Sequence, residues 1–281
     1  MKIILGDNQF FGINHSDLQK GKKTQQMFGD KDSIKEFIKK SLTIGLDGFM
    51  INSNKLGYDV VSDFTTNLDK EIHYSIPYPH KYATLVNEEG MLYLLKYFLK
   101  NTSTLKLILT LPKFILTRDI KYLIPIVSSL EIPKNLPSGS TIYIQNIITD
   151  MLIGIKRFDI LENFVKDVRR KGYNPGLITL NPLKLDELIV KSEILNKEDL
   201  VICFNINDAG FNVFPNRSKV ENYIKSDHKY KLMGMSIFSS GGSNIKEAIN
   251  FIKTQKLDYV VFGSSNIKNI ESNFNSLKNK F

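Results

Sequence analysis

The chain has 281 residues, 42% hydrophobic and 24% charged. That balance excludes a disordered or fibrous chain and lets a large core form without structural metals. The formal net charge of +9 comes from lysines scattered along helix-like segments, with no basic run interleaved with aromatics; it predicts a solvated basic surface and argues against a nucleic-acid partner.

Met1 leads directly into the first strand-like run, Ile3 to Asp7, which leaves no room for a signal-peptide core. A polar loop follows through His15. Ser33 with Glu36 forms a capping-box pattern, and Ile34, Phe37, Ile38 and Leu42 fall at helical spacing before Gly45. Phe49 to Ile51 reads as the second strand and Ile72 to Ile76 as the third. The stretch from Gly90 to Pro137 is ambiguous, because Leu105 to Leu111 could be a strand between helix-like neighbours. A mostly helical insertion is preferred there, since it leaves eight strands.

Thr141 to Ile147, β-branched and aromatic, reads as the fourth strand. A helix carrying Phe158, Leu161, Phe164, Val165 and Val168 stops near Gly172. Leu177 to Leu180 is the fifth strand and Leu200 to Asn205 the sixth, which contains the single cysteine, Cys203. One cysteine allows no intramolecular disulfide, and a thiol in an apolar run suits a reducing compartment. Leu232 to Ser243 and Tyr259 to Asn266 each read as a buried strand that stops in small residues and enters a helix, the last running from about Ile267 towards Lys278. Strands alternating with helices from end to end predict one (β/α)8 TIM barrel over 1–281. No uninterrupted apolar run reaches the roughly 18 residues of a membrane span, so a cytoplasmic protein with no membrane partner is expected. The sequence says nothing about oligomeric state.

Barrel sites lie at the C-terminal ends of the strands. In order, those ends offer Asp7, Asn8 and Gln9; Asn52 and Asn54; Tyr78 and His80; Gln145, Asn146 and Asp150; Asn181; Asn205, Asn207 and Asp208; and finally Ser236, Ser239, Ser240, Ser264, Ser265 and Asn266. Amides both donate and accept, which suits sugar hydroxyls, amides or a nicotinamide ring; asparagine is also favoured wherever a strand turns into a loop. Asn8, Asn52, Gln145, Asn146, Asn181 and Asn205 are the candidate substrate-binding amides.

Asp7 follows an apolar strand directly, so partial desolvation could raise its pKa and suit it to general-base work. It could equally bind backbone N–H groups of its own loop. His80 is the better placed acid/base histidine, ahead of His15. A lone histidine is nonetheless more often a hydrogen-bonded or surface residue. No metal-ligand spacing occurs, so no metal motif is present, although Asp7, His80 and Asp208 could still assemble a site in three dimensions; the missing Walker loop and Gly-x-Gly-x-x-Gly argue against a Rossmann or P-loop nucleotide site. At least one of Phe10 and Phe11 is expected to wall the mouth beside Ser264, with Asp7 or Asn8 lining it, rather than both plugging the barrel as ordinary core.

Gly241 and Gly242 have no Cβ, so backbone N–H groups there could approach an anion, with Ser239 alongside. Gly263, Ser264 and Ser265 precede a second helix N-terminus, which Asn266 could cap. Two such termini on adjacent barrel loops would converge on one phosphate. A turn at Gly-Gly and ordinary caps at Asn244 and Asn266 explain the same residues without a ligand.

Met235-Ser-Ile-Phe-Ser-Ser-Gly-Gly242 with Glu247-Ala-Ile249, and Val261-Phe-Gly-Ser-Ser-Asn-Ile-Lys-Asn-Ile-Glu-Ser-Asn273, resemble the seventh and eighth strands and cofactor loops of the aldo/keto reductases. Leu180-Asn-Pro182 is similar to another strand end of that family. The resemblance implies a barrel that handles NADP or NAD, with Ser264 at a phosphate and Asn273 beside the adenine. The catalytic half departs from the family. Asn52 stands where an aspartate is expected, and Tyr58 corresponds only roughly to the catalytic tyrosine. Ser75-Ile-Pro77 replaces the lysine region, Gln145-Asn146 the histidine, and Asn269 the arginine that would hold a 2′-phosphate.

The favoured expectation is an enzyme that binds a phosphorylated or nucleotide-bearing polar metabolite at the mouth. It would transfer protons through Asp7 or His80, as an isomerase, epimerase or lyase does. An NAD(P)H-dependent reductase with a rearranged site is the alternative, and a non-catalytic metabolite- or protein-binding barrel a third.

Overall fold

Eight parallel strands pair in sequence order, and the last closes on the first. The computed structural model describes residues 1–12, 18–64, 69–77, 84 and 87–279. The strands are β1 (Lys2–Leu5), β2 (Gly48–Asn52), β3 (Glu71–Ile76), β4 (Thr141–Ile144), β5 (Asn174–Thr179), β6 (Val201–Asn205), β7 (Lys231–Met235) and β8 (Tyr259–Phe262). This is a (β/α)8 barrel, as the alternation of strand and helix predicts.

Period-two alternation sorts the strand residues into two layers. Ile4, His73, Tyr143, Ile178, Val201, Cys203, Met233, Tyr259 and Val261 fill the barrel interior. Their neighbours, among them Ile3, Leu5, Phe49, Ile51, Tyr74, Ile142, Phe204 and Val260, point outward under the helices.

The helices before β4 are α1 (Leu18–Met27), α2 (Lys31–Thr43), α3 (Lys55–Asp63), α4 (Met91–Asn101), α5 (Thr104–Thr117) and α6 (Ile124–Glu131). Leu105 to Leu111 therefore lies within a helix. After β4 come α7 (Asn146–Gly154), α8 (Phe158–Arg170), α9 (Pro182–Ile189), α10 (Arg217–Lys225), α11 (Ile245–Lys253) and α12 (Ile267–Lys278). No helix among the described residues is long and apolar enough to cross a membrane.

Two local expectations are corrected. The cap of α2 is Asp30, whose Oδ1 accepts from the N–H groups of Asp32 and Ser33, so Ser33 lies inside the first turn. The fourth strand ends at Ile144, because Gln145 O accepts from the N–H groups of Ile148 and Thr149 and starts α7.

Candidate functional site at the barrel mouth

Continuing the interior alternation upward brings Asn52, Ser75, Gln145 and Asn205 to the inner rim, above Met50, His73, Tyr143 and Cys203. Gly6 and Gly263 occupy the same level on β1 and β8, which are joined by a bond from Gly6 N–H to Phe262 O at 2.7 Å. Neither carries a side chain, and Gln9 folds over the gap. Its Nε2 donates to Gly6 O at 2.6 Å. A Cβ on Gly263 would stand 2.1 Å from Gln9 Oε1. That oxygen is buried and has no hydrogen-bond partner among the described residues.

Asp7 stands beside this seam. Its Oδ2 accepts from the Asn52 backbone N–H at 2.8 Å and from Asn52 Nδ2 at 2.7 Å. Asp7 keeps some solvent-accessible surface, yet protein surrounds its carboxylate. Desolvation raises its pKa to about 6 against the pull of the two Asn52 hydrogen bonds.

The six candidate amides divide by how fully the chain engages them. Asn52 Oδ1 accepts from Asn54 N–H at 3.1 Å while its Nδ2 holds Asp7, so this side chain positions the carboxylate and is not free for a substrate. Asn181 caps α9 by accepting from Lys184 N–H, and Asn205 Nδ2 donates to Asn212 O to hold the β6 loop. Gln145, Asn146 and Asn8 make no side-chain hydrogen bond among the described residues; the first two are half-buried and Asn8 is exposed. Ser75, buried at the inner rim, joins them. The sequence places it only at the family's lysine region, because nothing there marks which residues of β3 face inward. The buried His73, two positions below, carries that signal.

Asp150 is a bracket. It accepts from Thr179 Oγ1 at 2.5 Å and from Leu180 N–H at 2.9 Å, and so ties α7 to the top of β5. Tyr58 lies on α3 and contributes, after burial and Glu131, to holding the Tyr74 hydroxyl far above its ordinary pKa. Tyr74 points out of the barrel, so Tyr58 is associated with the outer side of β3 rather than with Asp7. His80, His15 and Tyr78 lie outside the described residues.

Phe10 is core. It is 2% exposed and packs edge-on against Phe28 and Phe37, beneath α2. Only Phe11, half-buried, retains exposed surface near the mouth.

The loop after β7 departs from the anion-cradle expectation. Ser236, Ser239 and Ser240 all have positive φ, at 58°, 49° and 55°. Non-glycine residues held there cost about 1–3 kcal/mol each and cluster at ligand sites. The N–H groups of Gly241 and Gly242, however, donate to Phe238 O at 2.7 Å and Ser239 O at 3.0 Å, which closes the turn on itself. They are not free to bind an anion. Ser239 Oγ is buried, 2.7 Å from Ser243 Oγ, which donates to Asp208 Oδ1 at 2.6 Å. After β8, Asn266 caps α12, while the Ser265 and Ile267 N–H groups have no partner among the described residues.

Among the described residues, no three His, Cys, Asp or Glu side chains gather as a metal site. A surface depression of about 500 Å³ lined by Asn196, Lys197, Glu198, Asp199 and Lys229 lies below the strands, at the end opposite Asp7.

No protein-family model and no curated protein matches the chain. Solved structures do, among them two described as a candidate aldo-keto reductase from Pseudomonas aeruginosa. One is 11% identical with a TM-score of 0.52, covering 98% of this chain and 88% of that one. The other is 10% identical with a TM-score of 0.51, covering 98% and 89%. At such identity the likeness establishes an aldo/keto reductase-like (β/α)8 fold.

Proposed function

We propose that this chain is an enzyme for a small polar molecule bound at the barrel mouth, an oxidoreductase in which Asp7 transfers the proton. The Asp7 carboxyl carries the reading. With a pKa of about 6 it populates both protonation states near neutral pH, as general acid–base work requires. Gln145, Asn146, Asn8 and Ser75 would orient carbonyl or hydroxyl oxygens through groups the chain leaves free.

The aldo/keto reductase-like fold favours the oxidoreductase class over an isomerase, epimerase or lyase. A bound nicotinamide cofactor supplies a hydride. The chain would hold the diphosphate of NADP or NAD at the open N–H groups of Ser265 and Ile267, with Ser264 and Lys268 alongside. Asp7 would hold the proton on its carboxyl until the substrate oxygen takes it. The test is titration with NADPH and with NADH, followed by turnover on a panel of small aldehydes and sugar phosphates. Asp7→Asn should keep cofactor affinity and lose about 10²–10⁴-fold in turnover. No binding of either cofactor at about millimolar concentration, far weaker than a functional affinity, removes the oxidoreductase reading.

The closed Gly241–Gly242 turn removes one of the two anion contacts that a dinucleotide would use, and so favours a second reading, in which Asp7 moves a proton on a small polar metabolite without a nicotinamide, any single phosphate of it resting at Ser265 and Ile267. Its measurement is deuterium uptake from solvent into sugar phosphates, lost in Asp7→Asn.

A further inference from the structure

We propose that the outer face of α5, together with the neighbouring stripe of α7, docks on an anionic lipid surface. In α5, Leu105, Ile108, Leu109, Ile115 and Leu116 are 68%, 64%, 61%, 71% and 86% exposed. With the exposed Pro112 between them they lie at i, i+3, i+4, i+7, i+10 and i+11, a single stripe along the helix. The opposite side, Leu107, Thr110, Leu111 and Phe114, is half-buried. The helix is thus amphipathic in the unusual sense that its more apolar face looks into solvent.

A second stripe lies close to the end of the first. On α7 and its C-terminal cap, Ile147, Met151 and Ile155 recur every four residues and are 62%, 52% and 58% exposed. Arg157, two residues beyond, bonds Asp119 Oδ1 at 2.5 Å, which brings this end of α7 to the end of α5. Isolated exposed apolar side chains need no explanation, but a contiguous patch marks an interaction surface.

Charge decides the occupant. From Gly90 to Arg118 the chain carries Lys96, Lys100, Lys106, Lys113 and Arg118 and not one aspartate or glutamate. None of the five is paired with a carboxylate among the described residues. The first acid beyond them, Asp119, is neutralised by Arg157 and Lys121. A second copy of the chain would set these cations against their equivalents. A sheet of anionic headgroups over an apolar layer matches both features, and such a helix lies in the interface without spanning it.

Co-sedimentation with vesicles tests this on the full chain. Binding should appear with phosphatidylcholine vesicles containing about 30% phosphatidylglycerol, weaken in about 0.5 M salt, and be at least about tenfold weaker on pure phosphatidylcholine. The triple variant Ile108→Gln, Leu109→Gln, Leu116→Gln should keep its circular dichroism and melting point, since all three side chains are exposed, and lose binding. Lys106→Gln with Lys113→Gln should weaken it roughly fivefold per lysine. No pelleting with the anionic vesicles overturns the proposal. So does equal pelleting of the triple variant, or a dimer in light scattering that the triple variant converts to monomer.

Discussion

Asp7, just past the end of β1, and Asn52, the last residue of the neighbouring β2 and 45 residues away, are joined twice through a single carboxylate oxygen, by the Asn52 backbone N–H at 2.8 Å and its side-chain amide at 2.7 Å. The Asp7 pKa of about 6 is a balance between this clasp and desolvation, and desolvation prevails.

That balance makes Asp7 costly to the fold. Its folded pKa lies above the ordinary 3.8, so its favourable contribution is full below pH 3.8 and lost as pH rises through about 6. Asp7→Asn should therefore be more stable than the parent at alkaline pH, by about 1–3 kcal/mol once its residual exposure is allowed for. The gain should vanish near pH 4. Urea denaturation at both pH values measures it, and equal stability at alkaline pH would contradict the buried-carboxylate account.

Removing the side-chain half of the clasp, with the Asn52 backbone N–H still in place, should push the carboxyl further up. Asn52→Ala is expected to raise the Asp7 pKa above about 6, moving the midpoint of any Asp7-dependent activity or chemical shift to higher pH. It should also cost about 1.5–3 kcal/mol of stability, the usual range for a hydrogen bond to a charged group. Titrating the carboxyl by NMR decides the point.

The β1–β8 seam predicts a coupling. Gly263→Ala places a methyl group at the site of Gln9 Oε1, so Gln9 must leave its bond to Gly6 O. A loss of about 1–2 kcal/mol is expected. In a Gln9→Ala background the same substitution should cost less than half as much. A double-mutant cycle reads the difference, and additive costs would show that the two do not share the space.

His73 titrates in the opposite sense to Asp7. Fully buried, with Nδ1 2.8 Å from the Tyr143 hydroxyl, it has its pKa lowered by desolvation, which Glu71 only partly offsets. Its contribution is present above the ordinary value of 6.5 and lost as pH falls below it towards the folded value. His73→Phe should flatten the stability profile just below pH 6.5. It should cost about 1 kcal/mol at alkaline pH, where the Tyr143 hydroxyl loses His73 and keeps only its long contact to Met233 Sδ at 3.8 Å. Chemical denaturation across that window checks both.

The strands were legible because each is a short apolar run bounded by turn residues, and the caps Asn244 and Asn266 because each precedes a periodic apolar stretch. Asp30 was missed because Ser33 and Glu36 offer the same pattern a turn later. The desolvation that raises the Asp7 pKa was legible from its place after an apolar strand. The role of Asn52 was not, because a hydrogen bond between two strand ends leaves no local pattern. The turn at Gly241 and Gly242 shows the limit of composition. Two glycines permit a close approach to an anion, but the same freedom, with Gly241 at φ 90°, lets the turn satisfy its own N–H groups.

Barrel closure also has a bearing on synthesis. β1 is paired on one edge by β2 and on the other by β8, through Lys2↔Tyr259 to Leu5↔Phe262. On the ribosome, β1 emerges before β2 to β7 and β8 only after them, so one edge of β1 waits unpaired while all the intervening strands and helices are made. Its hydrogen-bonding groups are then open to strands of other nascent chains. Lys2 stands at the start of that edge, a charge of the kind that discourages such pairing. The glycine seam with its Gln9 cover can form only once the polypeptide has been released far enough for β8 to arrive.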